Sequence, residues 1–368
     1  MESAIKTNYF PELTGVRALA AFLVYLHHYS PFTKEVLGDT IFNFIHEFHI
    51  GVTLFFVLSG FLIAYRYSEM KNFNFKKYMI FRFARIYPMF FILSTITFLI
   101  PLLYHENVFE INKILMYVSN ITFLKGFFDS LKFTLIEQSW SLTVEEVFYL
   151  LAPLVFLIIN KKFIYFFFLP ILFIGLGLAA VFVFSRFNIQ GFFGTYNFMF
   201  NYTFFGRCTE FFIGIGLAIL IKRDLIKFKF RYFTYVGFIM IFLSAFCISL
   251  VAKEGYGIHE PLGIFINTFI LPLLGVSLFY YGLITEKSIF SKFFSSKILV
   301  LLGKSSYIFY LIHIGFFRNI FALKIGGIWA YLYIFIILQI IAIILFKFIE
   351  EPLNHYFRNK FAFEKKIK

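Results

Sequence analysis

The chain has 368 residues, of which 60% are hydrophobic and 15% are charged. Soluble domains carry about 25% charged residues, so this composition excludes an ordinary soluble globular protein. The 34 basic and 20 acidic residues leave a net charge of +14, and the basic residues lie between apolar runs, which indicates contact with membrane surfaces rather than with nucleic acid.

Ten apolar runs are long enough to cross a bilayer as helices. They cover residues 12–30, 48–66, 79–101, 142–160, 163–184, 204–221, 232–251, 262–283, 298–317 and 327–349. Basic residues are concentrated in every second connection, for example Lys76 and Lys77 after the second run and Lys161 and Lys162 after the fourth. Cytoplasmic loops are enriched in lysine and arginine, so this pattern places both termini in the cytoplasm. The sequence therefore predicts an all-α, polytopic membrane protein with about ten transmembrane helices.

We interpret residues 1–368 as a single integral-membrane domain, with a helical core at about 12–350 and a cytoplasmic tail at 351–368. The connection 102–139 is predicted to contain a short interfacial helix. The two cysteines, Cys208 and Cys247, form no CxxC motif and belong to no Cys/His cluster. The sequence therefore supports neither a disulfide framework nor a metal site.

The first run carries two ionisable residues, Arg17 and His28. Eleven residues at about 100° each make about three turns, so the two side chains share one helical face about 16 Å apart. This separation is about half the thickness of the hydrocarbon core. Because hydrocarbon offers an ionisable group no partner, the pair indicates a polar path through the protein and a candidate functional site. The neighbouring His27 lies about 80° off this line and is the weaker candidate.

Arg82 and Arg85 begin the third run on its predicted cytoplasmic side. Their spacing of three residues places two guanidinium groups on neighbouring positions of one helix face, which suits the binding of phosphate oxygens. An alternative interpretation is that both residues only anchor the helix at the lipid headgroups.

The fourth helix is expected to begin with Trp140 and Ser141, just before the fourth run, and it places two consecutive carboxylates, Glu145 and Glu146, about one and a half turns into the membrane. Such groups are costly there unless they face a polar cavity. We expect Glu145 to lie at the depth of His28, where a carboxylate could orient the imidazole as a general base. The alternative is an ion pair that only holds helices one and four together.

Further intramembrane polar residues are Arg207 and Glu210, which are expected to pair at a spacing of three residues, and His313 and Glu350. For each of these the alternative is a satisfied contact between helices. The small residues of the second run are predicted to permit close packing of helices; they are Gly51, Ser59 and Gly60.

Taken in order, these motifs resemble the membrane-bound acyltransferase 3 family, also called the inner-membrane O-acyltransferases. The resemblance covers nearly the whole chain, from about residue 13 to residue 358. It rests on an Arg and a His separated by ten residues (Arg17, His28), the segment 51–61, an RxxRxxP motif (Arg82, Arg85, Pro88), the segment 140–150, an RxxEF motif (Arg207, Glu210, Phe211), the segment 306–313 with Tyr310 and His313, and Glu350-Glu351-Pro352.

The resemblance implies a multi-pass enzyme of the bacterial inner membrane. Such an enzyme transfers an acyl group, usually acetyl, from cytoplasmic acyl-CoA to a hydroxyl of an extracytoplasmic or lipid-linked glycan, such as lipopolysaccharide O-antigen or exopolysaccharide. Its partners would be membrane lipid, the acyl-CoA donor and the carbohydrate acceptor, with no metal and no nucleic acid.

On this hypothesis His28, Arg17 and Glu145 are catalytic, and Arg82 and Arg85 hold the phosphates of acetyl-CoA. Arg17 positions the thioester or stabilises its oxyanion, and His28, oriented by Glu145, removes the proton of the sugar hydroxyl. The supporting residues are Glu146, Trp140, Ser141, Arg207, Glu210, Tyr310, His313 and Glu350.

A proton-coupled secondary transporter of a glycan or lipid-linked sugar is the alternative function. Ten helices and an aligned Arg/His pair would also fit such a protein. Broken helices in two matching halves would favour this alternative, and the sequence contains no such repeat.

Overall fold

A computed structural model of the protein describes residues 9–70, 72–103, 111–187, 189–225, 230–253, 255–321 and 327–362. Within these ranges the chain is helical, with no strand beyond one isolated bridge between Phe128 and Phe192. Eight helical segments of the described residues are long and apolar enough to cross a membrane. The prediction of an all-α polytopic membrane protein is therefore confirmed.

Each of the ten predicted runs corresponds to a helix or to a helical segment in the structure. The helices are α1 (Pro11–His28), α2 (Lys34–His46), α3 (Gly51–Tyr67), α4 (Phe75–Leu103), α5 (Ile111–Ile121), α6 (Trp140–Lys161), α7 (Tyr165–Phe184), α8 (Tyr196–Tyr202), α9 (Phe204–Lys222), α10 (Phe233–Val251), α11 (Pro261–Phe265), α12 (Ser277–Thr285), α13 (Ile289–Phe294), α14 (Lys297–Ile312), α15 (Phe316–Ile320), α16 (Gly327–Leu345) and α17 (Glu351–Phe357).

Two of the predicted spans, α1 and α14, are not among the eight apolar segments. Helix α1 is made more polar by Glu12, Arg17 and its two terminal histidines, and α14 has only 16 residues. Both pack in the protein interior, α1 against α3 and α14, where other helices replace lipid. The direction in which the chain crosses the membrane stays a prediction.

Close approach of helices in the core depends on glycine. A Cβ atom at Gly60 of α3 would lie 2.2 Å from the backbone oxygen of Phe211 in α9, and one at Gly51 would lie 2.2 Å from the backbone oxygen of Ala20 in α1. No larger residue fits without parting the helices, which confirms the packing role predicted for these two positions. Helices α1, α3, α9 and α14 thereby form a compact centre around the polar residues.

Three segments differ in detail from the sequence-based prediction. Helix α2, kinked at Gly38, precedes the second predicted run and was not predicted. Helix α5 confirms the short helix expected within 102–139, of which residues 104–110 lie outside the described residues. The eighth span is α11 and α12 joined by a π-helical stretch, Ile266–Val276, that contains Pro272.

The last helical segment extends beyond the predicted boundary near residue 350. Helix α16 continues through a π-helical turn, Phe346–Glu350, into α17 and on to Ala362. This extension packs on α4, where the ring centroids of Phe357 and Phe83 are 5.7 Å apart and the Arg358 guanidinium lies 4.5 Å from the ring of Phe81. Its aromatic residues give it a surface to bury against α4. The cytoplasmic location of residues 351–368 stays a prediction, and residues 363–368 lie outside the described residues.

Candidate active site

The largest of three neighbouring cavities, about 300 Å³, lies at the His28 end of α1. We call it the histidine cavity. His28 is exposed on its wall, and its ring centroid is 4.5 Å from that of His27 and 5.4 Å from that of His313. The other polar and aromatic side chains of the wall include His49, Glu137, Gln138, Trp140, Asn201, Tyr202, Arg207, Tyr256, His259 and Tyr310.

His313, at the end of α14, is fully buried behind His28. Its Nδ1 donates a hydrogen bond to the backbone oxygen of Tyr310 at 2.7 Å, which leaves Nε2 as an acceptor. This Nε2 is buried and has no hydrogen-bond partner among the described residues. The free lone pair of this buried nitrogen is suited to interact with the imidazole of His28. The structure therefore brings two of the predicted site residues, His28 and His313, together.

The rim of the histidine cavity contains residues that the sequence analysis missed. His49 Nε2 lies 2.7 Å from Glu47 Oε2, and the other oxygen of this buried carboxylate accepts a hydrogen bond from the Gly257 amide at 2.6 Å. The imidazole of His27 contacts the backbone oxygen of His46. Glu47 was not predicted because it precedes the second apolar run, whereas the predicted ionisable site residues lie inside a run or directly after one.

A second cavity, of about 50 Å³, lies where the first turns of α4 meet α1, α3 and α6. We call it the arginine cavity. It is lined by Arg17, Arg82 and Arg85, by the hydroxyls of Ser59 and Tyr149, and by Glu145. Ser59 Oγ donates a hydrogen bond to Glu145 Oε1 at 2.7 Å, and the Tyr149 hydroxyl lies 3.3 Å from Glu145 Oε2. Ser59 is therefore more than the small packing residue that the sequence predicted.

The predicted pairing of Glu145 with His28 is wrong for this structure, because Glu145 points into the arginine cavity. His28 is the last residue of α1, whereas Glu145 is five residues into α6. Five residues advance the helix by about 7.5 Å and turn it by about 500°, so Glu145 is deeper than Trp140 and on another face. Trp140 lines the histidine cavity and Glu145 does not.

Arg82 and Arg85 face the arginine cavity and lie within electrostatic reach of several carboxylates. Both interact electrostatically with Glu145, and Arg82 also does so with Glu146. Arg85 interacts in the same way with Glu350, whose Oε2 is buried with no hydrogen-bond partner among the described residues. The guanidinium groups therefore already have counter-charges, which is consistent with the burial of this many ionisable groups.

Arg207 and Glu210 form the predicted ion pair within α9. Arg207 Nε and Nη2 each donate to one oxygen of Glu210 at 2.7 Å. Arg207 also donates to Thr53 Oγ1 at 3.0 Å and to the Asn201 backbone oxygen at 3.2 Å. This bidentate, buried pair locks α9 to α3 at the base of the histidine cavity.

A third cavity, also of about 50 Å³, lies between the other two. We call it the middle cavity. It shares Val52 and Tyr310 with the histidine cavity, and Arg17, Phe55, Glu145 and Tyr307 with the arginine cavity. The Tyr310 hydroxyl lies 2.9 Å from Ser141 Oγ and donates to the Gln138 backbone oxygen at 3.2 Å. The aligned Arg17 and His28 thus lie on successive cavities of one polar path, separated by packed side chains.

No group of three or more His, Cys, Asp or Glu side chains within the described residues is arranged to hold a metal ion. The side chains that line the three cavities include imidazole, guanidinium, carboxylate and hydroxyl groups. These provide a base, an oxyanion partner and anion-binding groups, which together can support acyl transfer.

A family model described as an acyltransferase domain matches residues 10–347. The chain belongs to the acyltransferase 3 family. This confirms the predicted resemblance, and the acyltransferase 3 match includes every side chain that lines the three cavities.

Two relatives of this acyltransferase 3 chain are both named O-acetyltransferase OatA, from Staphylococcus aureus strains NCTC 8325 / PS 47 and COL. Each is 28% identical to it over 403 residues, in an alignment that covers 100% of this chain and 61% of the relative. The chain thus spans about three fifths of the length of the curated relatives it matches. No solved structure matches the chain.

Proposed function

We propose that the protein is a membrane O-acyltransferase that moves an acyl group, most simply acetyl, from cytoplasmic acyl-CoA to a hydroxyl of an extracytoplasmic or lipid-linked carbohydrate. The observation that carries the proposal is the row of three neighbouring cavities, with shared wall residues, that lies between the α4 arginines and His28. Family membership and the names of the relatives support acyl transfer as its chemistry. The proposed location is the bacterial inner (cytoplasmic) membrane, where a cytoplasmic donor and an extracytoplasmic or lipid-linked acceptor could meet.

The donor enters from the arginine cavity, on the side where α4 begins. Arg85 is half-buried there and Arg82 is buried, and both are within electrostatic reach of Glu145. Phosphates of the donor would compete with this carboxylate for the two guanidinium groups. Arg17, which faces both the arginine and the middle cavities, is placed to bind the thioester oxygen.

The acceptor enters the histidine cavity, whose wall combines aromatic rings with amide and imidazole groups. The rings of Trp140 and Tyr202 are in contact, with centroids 4.9 Å apart. Aromatic rings cover the apolar faces of sugar rings, and the side-chain amides of Gln138 and Asn201 can hydrogen-bond hydroxyl groups. This combination of aromatic rings with amide and imidazole groups supports a carbohydrate as the ligand.

In the transfer step, the acceptor hydroxyl oxygen attacks the thioester carbonyl carbon and forms the new C–O bond. The hydroxyl proton passes to the neutral imidazole of His28, and Arg17 stabilises the negative charge on the carbonyl oxygen. The C–S bond then breaks, and the CoA thiolate leaves and takes up the proton that the imidazolium returns through water. Opening at Tyr310 must bring hydroxyl and thioester together, because this ring lies between the histidine and middle cavities.

Incubation of membranes that contain the protein with acetyl-labelled CoA tests the proposal. We expect label in the carbohydrate fraction, and no label in membranes that lack the protein. A secondary transporter would leave the carbohydrate unlabelled, and that result would contradict the proposed function. Mass spectrometry of the labelled carbohydrate would identify the acceptor and the position of the ester.

A further inference from the structure

The middle cavity lies where the acyl group must be during transfer. It touches the arginine cavity through Arg17 and Phe55, and the histidine cavity through Val52 and Tyr310. A thioester that enters from the arginine cavity and meets a hydroxyl from the histidine cavity therefore passes through it. We propose that the middle cavity is the acyl-binding pocket, that its size admits acetyl and excludes longer acyl chains, and that Phe55 sets this limit. The inference rests on the proposed function and adds its donor specificity.

The volume of the middle cavity supports a small acyl group. It measures about 50 Å³, one sixth of the roughly 300 Å³ of the histidine cavity. One water molecule occupies about 10–15 Å³ of a cavity, so a pocket of this size accepts only a few heavy atoms. An acetyl thioester presents four heavy atoms, which are the methyl carbon, the carbonyl carbon, the carbonyl oxygen and the sulfur. Each additional methylene would need space that the pocket lacks.

The walls of the middle cavity match the polarity of an acetyl group. Val52, Phe55, Phe56 and Leu142 provide an apolar surface for the methyl carbon, and Arg17 provides the cation that the carbonyl oxygen requires. An acyl group with its methyl towards the phenylalanines and its oxygen towards Arg17 is thus bound in one orientation. The fixed orientation would keep the carbonyl carbon open to attack from the Tyr310 side.

Phe55 differs from the other apolar wall residues in its surroundings. Phe56 is 1% exposed and stacks on Phe211 with ring centroids 4.9 Å apart, and Leu142 is 4% exposed, so the surrounding core holds both in place. Phe55 is only half-buried, and its ring meets that of Tyr310 edge-on with centroids 5.9 Å apart. Because Phe55 lines both the middle and the arginine cavities, truncation of its ring would join them into one longer pocket.

A comparison of acyl donors of different chain length tests the role of Phe55. The full-length protein in membranes would receive acetyl-, propionyl- or butyryl-CoA, and the kcat/KM for transfer to carbohydrate would be compared. One methylene in a hydrophobic pocket is worth about 10–200-fold in discrimination. We expect the unsubstituted protein to prefer acetyl over butyryl by at least about tenfold, Phe55→Ala to lose most of this preference, and Phe55→Leu to lose part of it.

Phe22→Ala is the matched control. Phe22 is also half-buried, but its ring packs on Phe309 and Phe335 and is not among the side chains that line the three cavities. This variant should keep the acetyl preference. The inference is overturned if acetyl and butyryl transfer equally well without any substitution, or if both Phe55 variants retain the original preference. If Phe55→Ala is inactive with every donor, the acetyl preference of Phe55→Leu alone decides the question. If the unsubstituted protein transfers none of the three acyl groups, the proposed function is rejected, and the acyl pocket with it.

Discussion

Replacement of Glu210 by glutamine is expected to destabilise the protein strongly, although the two side chains have nearly the same shape. Among the described residues, the buried Glu210 carboxylate is the only anionic group that accepts hydrogen bonds from Arg207, and it accepts two of 2.7 Å. Glutamine keeps one acceptor oxygen but places an NH2 group against a guanidinium N–H. The substitution therefore removes one hydrogen bond, weakens the other, and leaves the Arg207 charge buried without a counter-charge.

The magnitude follows from these contacts. Loss of a hydrogen bond between charged groups costs about 1.5–3 kcal/mol, and conversion of the second bond to one with a neutral acceptor costs about 1 kcal/mol more. The sum, about 2.5–4 kcal/mol, overlaps the roughly 3–5 kcal/mol typical when one partner of a buried ion pair is removed. The remaining contacts of Arg207 with Thr53 and Asn201 go to neutral oxygens and do not replace the lost charge.

Reversible unfolding in mixed micelles measures this free energy. The double variant Arg207→Met, Glu210→Leu is the control, because replacing both charges by apolar groups of similar volume is often nearly neutral. We expect the double variant to be more stable than Glu210→Gln alone. A loss below about 1 kcal/mol for Glu210→Gln, or a double variant that is less stable than the single one, would refute the structural role assigned to this pair.

Three further predictions concern the stability of the protein and the release of free CoA without acyl transfer to an acceptor. Gly60→Ala should lower the unfolding temperature by several degrees because its Cβ would lie 2.2 Å from the Phe211 backbone oxygen, whereas Gly175→Ala, with open space around it, should not. Burial lowers the pKa of Lys125 from 10.5 to about 7. The folded protein therefore binds fewer protons than the unfolded chain between about pH 7 and pH 10, so its stability rises with pH over this range. Lys125→Met should flatten the rise in unfolding temperature between about pH 7 and pH 9. Tyr310→Phe removes the hydroxyl that contacts Ser141 at 2.9 Å and should increase release of free CoA without acceptor, measured as thiol, because the partition between cavities loosens; an unchanged release would contradict this role.

Hydropathy was sufficient to predict the ten long apolar segments because each segment that crosses the membrane must bury its own backbone polar groups in a helix. The pairing of Arg207 with Glu210 was also predictable, since three residues on one helix bring side chains together without knowledge of the fold. Both predictions depend only on local sequence. The same is true of the α5 helix within the connection 102–139.

Contacts between helices could not be predicted in the same way. Glu145 was assigned to His28 from an estimate of depth alone, but the rotation of α6 directs it to Ser59 and Tyr149. The buried Glu47 was missed because its partner, the Gly257 amide, lies more than two hundred residues away in the sequence. Rotation about a helix axis is set by packing against neighbours, which a single sequence does not specify.

The role of His28 as the base is the central claim, and the acetyl-transfer rate of His28→Gln tests it most directly. Glutamine retains hydrogen-bonding capacity but cannot accept the proton, and a general base typically contributes about 10²–10⁴-fold to the rate. His355→Gln, in α17 and outside the cavity walls, is the matched control. We expect transfer by His28→Gln to fall at least about a hundredfold while acetyl-CoA still binds and His355→Gln stays at the original rate; full activity of His28→Gln would contradict the account.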